Sequence, residues 1–248
     1  MSNKSKEVVI VNAIRTPIGK YGGSLKNIRS DQLGSIVIKE VLKKSKFVNE
    51  EIDEVIMGQV LTAGTGQNPA RQAAINAGIP ISKPAHIINQ VCGSGLRAVI
   101  SGYQSIKLGQ SNNVISGGQE SMSLAPHSIF FRDEKKISED KLLDTMVNDG
   151  LIDAFNNYHM GVTAENVAKK FNITRQEQDE FALKSQKKAE LAIANNKFNE
   201  ELVKINHNGS ILNADEHPRI GLKMLDLEKL KTVFQDDGTI TPGNSSGI

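Results

Sequence analysis

The sequence predicts an α/β protein built on a doubly wound, mostly parallel sheet. Short apolar runs rich in β-branched residues alternate with stretches of helical period through residues 1–118. Those runs lack the polar alternation of a half-exposed strand, so they read as strands covered on both faces. Beyond residue 118 the texture changes: strands become scarce, and polar, charged helices alternate with long connections. The reading is therefore an α/β domain over 1–118 and a second, largely helical domain over 119–248.

Glu7-Val-Val-Ile-Val-Asn12 is the first predicted strand. Ser30 or Asp31 can cap a helix whose apolar face carries Leu33, Ile36, Val37 and Val41. Glu54-Val-Ile-Met-Gly-Gln-Val60 is the next strand. Asn68 and Pro69 open a helix through Ala77, which Gly78 ends. Pro84–Val91 reads as a buried strand and Gly93–Gly109 as a helix; Asn112–Gly118 is a further strand. Later, Thr163–Phe171 is helical. Thr174 with Glu177 forms a capping box for a helix towards Asn195. Glu201–Asn206 is a strand candidate, and Asp236-Asp-Gly238 a tight turn.

Charge is nearly balanced, at a formal +2, with no basic run and no aromatic-rich stretch, so nothing points to nucleic acid. No stretch approaches the roughly 18 consecutive apolar residues of a membrane span. Met1–Glu7 is polar and lacks the apolar core of a signal peptide. The chain has one cysteine, which excludes an internal disulfide and suits a reducing cytoplasm. No metal-ligand spacing stands out.

That cysteine, Cys92, falls at the turn between a strand and a helix. Unpaired N–H groups and the helix dipole there favour a thiolate, and a thiolate is a good acyl acceptor. The competing reading is a small buried apolar side chain.

The wider pattern is more specific. Ile88-Asn-Gln-Val-Cys-Gly-Ser-Gly-Leu-Arg-Ala-Val99 is followed by Gly117-Gly-Gln-Glu-Ser-Met-Ser123. Around these stand Val11–Gly19, Gly66–Ala74, Tyr158–Asn166 and Gly243–Ile248. Together, and in this order, they resemble the thiolases over essentially the whole chain. The resemblance implies the N-terminal half of an αβαβα thiolase fold, with 119–248 as an inserted loop domain shaping the coenzyme A channel. The C-terminal half, and the last strand of the first sheet, would be absent. It further implies ping-pong acyl transfer. Cys92 would take an acyl group from one thioester and pass it to coenzyme A or to the carbanion of a second acetyl-CoA.

The family's activating histidine, second cysteine and oxyanion-hole asparagine have no matching position here. Of the histidines, His86, His127, His207 and His217 read as structural or solvated. His159, in Tyr158-His-Met-Gly161, matches a residue lining the pantetheine channel. Met160 resembles a methionine beside the acyl pocket of acetoacetyl-CoA thiolases, which implies short acyl chains; a core filler is the competing reading. Ser246 matches a serine that bonds the pantetheine arm, and Arg219, less closely, an arginine near the nucleotide end of coenzyme A.

The resemblance thus implies an acyltransferase that condenses two acetyl-CoA to acetoacetyl-CoA plus CoA. These thioesters would be substrates, with no separate cofactor, in a cytoplasmic homo-oligomer, a dimer of dimers in the family. The 248 residues alone would be inactive in the full condensation. The alternatives are a broader-chain 3-ketoacyl-CoA thiolase of β-oxidation, a single-cysteine condensing enzyme of the ketoacyl synthase type, and a non-catalytic thiolase fragment.

Overall fold

A computed structural model describes residues 7–132, 142–207 and 209–248. The polar start of the chain, 1–6, lies outside the described residues. The chain divides into two compact units. The first comprises Met1–Pro17, Ser24–Gly150 and Glu201–Asn213; the second comprises Ile18–Gly23, Leu151–Glu200 and Ala214–Ile248. The change in sequence texture at 118 coincides with the end of a strand, while the first unit continues to Gly150.

In the first unit the elements run α1 (Ser30–Ser45), β1 (Glu54–Gly58), α2 (Pro69–Asn76), β2 (Ala85–Ile88), α3 (Ser94–Lys107) and β3 (Val114–Gly118). The three strands form a parallel sheet in the order β2-β1-β3. Val55 stands between Ala85 and Ile115, and Met57 between Ile87 and Gly117. Side chains alternate across a strand, so β1 divides its residues between two faces. Val55, Met57 and Ile115 meet Ile38 and Leu42 of α1, Ala70, Ala73 and Ala74 of α2, and Ala77 at its C-cap. Truncating a fully buried member such as Ile38 to alanine would cost about 2–5 kcal/mol. The other face carries α3, where Gly102 lies against Val114 and Ser116. The helix pair on one face and α3 on the other make the doubly wound sheet.

Local signals explain the helix ends. The Asn68 side chain accepts the Arg71 amide at 3.1 Å, Pro69 needs no donor in the first turn, and Gly78 leaves at φ +93°. Two short antiparallel pairs complete this unit: β4 (His127–Ser128) with β5 (Leu143–Asp144), and β6 (Ile205–His207) with β7 (Ser210–Leu212). α4 (Thr145–Gly150) closes it.

Three sequence expectations need correction. Residues 7–12 are not a strand: no backbone hydrogen bond joins 8–14 to a neighbour among the described residues, and a strand exists only through such bonds. Instead Val8–Ile14 and Asn112–Gly118 line an apolar groove of about 390 Å³. α1 buries Leu33, Ile38 and Leu42, whereas Ile36, Val37 and Val41 are only half-buried. β2 is a half-exposed edge strand that stops at Ile88, and residues 89–91 turn rather than extend.

The second unit holds α5 (Met160–Phe171), α6 (Arg175–Ala194) and α7 (Met224–Glu228). The Thr174–Glu177 capping box is formed in both directions: the Glu177 amide donates to Thr174 Oγ1 at 3.2 Å and the Glu177 carboxylate accepts the Thr174 amide at 2.7 Å. No helix among the described residues is long and apolar enough to cross a membrane.

Candidate active site

Cys92 is exposed, which removes the reading of it as an apolar filler. It lies between the end of β2 and Gly93, the N-cap of α3. The turn that carries it is strained and heavily bonded. Val91 has φ +48°, a left-handed conformation that a β-branched residue rarely adopts. Four contacts hold it. Asn89 Oδ1 accepts the Val91 amide at 3.0 Å. Ser94 Oγ accepts the Gln90 amide at 2.9 Å and donates to the Val91 carbonyl. The Gly93 amide bonds the Gln90 carbonyl at 3.1 Å. Strain of this kind persists where surroundings over-determine it.

Glycines bring this turn against the sheet. A Cβ on Gly58 would lie 2.4 Å from the Ser94 carbonyl carbon, and one on Gly118 would lie 3.4 Å from the Gly95 Cα. The first turn of α3 therefore rests directly on the C-terminal ends of β1 and β3, the edge where ligands of wound sheets bind. Beneath it runs a buried amide chain. Gln119 Nε2 donates to Gln59 Oε1 at 2.9 Å, and Gln59 Nε2 donates to Ser30 Oγ at 3.1 Å.

Neither histidine of the first unit's sheet region bonds the thiol. His86 projects from exposed β2 and lies 3.4 Å from Glu54, and His127 sits in the β4–β5 pair. The His207 side chain is not among those described.

In the second unit, His159 is the N-cap of α5. Its Nδ1 accepts the Gly161 amide at 3.0 Å, so the neutral ring carries its proton on Nε2, a donor available to a carbonyl. The ring stacks on Phe234 at 4.8 Å. Gly161 permits that stack, since a Cβ there would stand 2.3 Å from the Phe234 ring. Met160 follows with 43% of its surface exposed, so it fills no core gap. His217, expected to be solvated, is half-buried with Nε2 3.1 Å from the Gly19 carbonyl.

Ser246 is exposed at the end of a loop whose preceding residues are pinned from two helices. Glu165 of α5 accepts the amides of Thr239 and Ile240 at 2.9 and 2.8 Å and the Thr239 hydroxyl at 2.9 Å. Burial alone would raise this carboxyl; the Ile240 and Thr239 donors outweigh it and hold the group below the ordinary carboxylate range. Asp179 of α6 takes Asn244 Nδ2 at 2.9 Å and Arg175 Nε at 2.7 Å. The Arg219 guanidinium reaches the Pro242 carbonyl at 3.4 Å and is otherwise exposed.

Sequence reasoning missed Asn89, Val91 and Ser94 as holders of the thiol turn. Ser94 carried a usable signal, a serine at a helix start; Val91 carried none, because a β-branched residue argues against positive φ. Glu165 and Asp179 were missed too, because acidic residues inside polar, charged helices give no local sign of a distant partner.

A family description, the N-terminal domain of thiolase, matches residues 8–248. The chain belongs to the thiolase family. The acetyl-CoA acetyltransferase of Chromobacterium violaceum is 52% identical over 248 residues, covering 98% of this thiolase chain and 63% of that protein. The cytosolic acetyl-CoA acetyltransferase of Rattus norvegicus is 47% identical, covering 100% and 64%. The crystal structure of the Bacillus anthracis acetyl-CoA acetyltransferase superposes with a TM-score of 0.93 at 37% identity, covering 100% and 64%. The thiolase chain thus spans under two thirds of the length of these relatives, and its fold is that of the N-terminal part of the thiolase fold.

Proposed function

We propose that this chain carries the acyl-accepting half of an acetyl-CoA acetyltransferase. The observation that carries the reading is the exposed Cys92, held in a strained, over-bonded turn directly ahead of α3. The thiol attacks the thioester carbonyl, the coenzyme A thiolate leaves, and the acyl group rests on sulfur. It then passes to coenzyme A, or to the α-carbon of a second acetyl-CoA to give acetoacetyl-CoA. A chain with one cysteine cannot supply two, so a mechanism that needs a second thiol as base must draw it from outside these residues. Removing such a base typically costs about 10²–10⁴-fold.

His159 Nε2–H, Met160, Ser246 and Arg219 are proposed contacts for the pantetheine and nucleotide parts of the substrate, so coenzyme A enters as substrate and no separate cofactor is invoked. Met160 supports short acyl chains. The name of the rat relative supports a cytosolic location, and a homotetrameric assembly accords with the family reading.

Incubation with acetyl-CoA followed by peptide mass mapping should place one acetyl group on Cys92 and none on Cys92→Ser. Acetyl found only elsewhere would overturn the reading. In the complete protein, thiolysis should favour acetoacetyl-CoA over long-chain 3-ketoacyl-CoA in kcat/KM.

A further inference from the structure

Glu120 has no role in the chemistry above, yet it occupies an unusual position. It follows β3 and is mostly buried, and burial raises its carboxyl above the ordinary value. Three backbone amides, those of Val60, Leu61 and Ser121, oppose that effect, and no cation does among the described residues. Oε2 accepts the Val60 amide at 2.8 Å and the Leu61 amide at 3.2 Å. Oε1 is buried and has no hydrogen-bond partner among the described residues. As a purely stabilising device this is a poor choice, because an unpaired buried carboxylate oxygen costs desolvation that a neutral or apolar group would avoid. What a carboxylate adds is stronger, charge-assisted bonds to the two amides.

Those bonds lead to the thiol turn. The Val60 carbonyl accepts Asn89 Nδ2 at 3.4 Å, the longest contact of the series. Asn89 Oδ1 in turn accepts the amide of Val91, the strained residue before Cys92. Glu120 follows β3, Val60 follows β1 and Asn89 follows β2. The contacts therefore cross the C-terminal edge of the sheet in the sheet's own order.

We infer that Glu120 is a positioning residue for Cys92, acting through the Val60 peptide and the Asn89 side chain. The inference deepens the acyl-acceptor reading and rests on it for its purpose. Its geometry is tested separately.

Amide hydrogen exchange in the full chain reads the relay directly. Asn89→Ala should speed exchange at Val91 by about two- to tenfold, the factor for one net hydrogen bond. Glu120→Ala should do the same at Val91, while exchange at Met57 in central β1 changes less than at Val91. A merely structural role would open Val91 and Met57 together. Glu120→Gln keeps an acceptor for the two amides but places an NH₂ where Oε1 has no partner. It should lower the Tm yet leave Val91 protected. The double variant Asn89→Ala/Glu120→Ala should be no faster at Val91 than either single one.

Iodoacetamide reads Cys92 alone, because the chain has one cysteine. Its rate should change by a similar factor in Asn89→Ala and Glu120→Ala and stay near wild type in Glu120→Gln. Should Glu120→Ala fail to fold, Glu120→Asp, one methylene short of the amides, takes its place with the same expectation. Equal acceleration at Val91 and Met57, an unchanged alkylation rate, or a Glu120→Gln as perturbed as Glu120→Ala would overturn the inference. Failure of Cys92 acetylation with an intact relay would instead sink the acyl-acceptor reading alone.

Discussion

The hydroxyl of Ser94 donates to the carbonyl of Val91 and, through the same oxygen, accepts the amide of Gln90. One side chain of α3 thereby closes both ends of the turn that presents Cys92. Ser94→Ala should remove the acceptor of the Gln90 amide and release the left-handed Val91. The cost should be about 0.5–1.5 kcal/mol, the range for one net hydrogen bond. Denaturant unfolding checks the stability, and acetyl-CoA labelling should show slower acetylation of Cys92. A Ser94→Ala chain with unchanged midpoint and labelling would show that the glycine contacts alone hold the turn.

Gly161 should not tolerate alanine. The added Cβ would meet the Phe234 ring at 2.3 Å, and the ring is the stacking partner of His159. Overpacking of this kind costs about 1–3 kcal/mol. Because the Gly161 amide also fixes the His159 tautomer, the change should weaken coenzyme A binding more than an alanine at the exposed Met160. Calorimetric titration with coenzyme A compares the two variants, and equal affinities would separate Gly161 from the ligand channel.

Glu165 and Glu120 should act in opposite directions with pH. The folded chain holds Glu165 below the ordinary 4.5, so its stabilisation is complete above that value and is lost as pH falls through the depressed pKa. Glu120 is raised above 4.5, so its neutral form favours folding at low pH, and that contribution is lost as pH rises through the raised pKa. The Tm difference between wild type and Glu165→Gln should therefore be largest near neutrality and shrink on acidification below 4.5. Glu120→Gln should show its larger deficit in acid and a smaller one as pH rises through the raised pKa. A pH-independent difference for either variant would refute the corresponding cause.

How much was legible in the sequence depended on whether the signal was local. The Asn68–Pro69 start, the Thr174–Glu177 box and the position of Cys92 ahead of a helix all rest on neighbouring residues and could be read directly. The outcome for Glu7–Asn12 could not, because apolar residues form a strand only if another strand bonds them, and none among the described residues does. Long-range contacts were equally invisible. Glu120 reaching Val60, and Glu165 reaching Ile240 across 75 positions, leave no local pattern. Val91 is the sharpest case, since its residue type points away from the conformation it adopts.

The groove beside β3 should make this chain associate. β3 pairs only with β1 among the described residues, so its other edge offers free backbone donors and acceptors. Val9 and Ile10 across the groove are 66% and 79% exposed. An open edge beside exposed apolar residues favours contact with another copy. Sedimentation velocity should show concentration-dependent association over the micromolar range. Ile10→Lys should suppress it by placing a charge in the groove, while leaving the Tm nearly unchanged because the side chain is already solvated. Wild-type chain that stays monomeric across that range, or association untouched by the lysine, would show that the groove is not the contact surface.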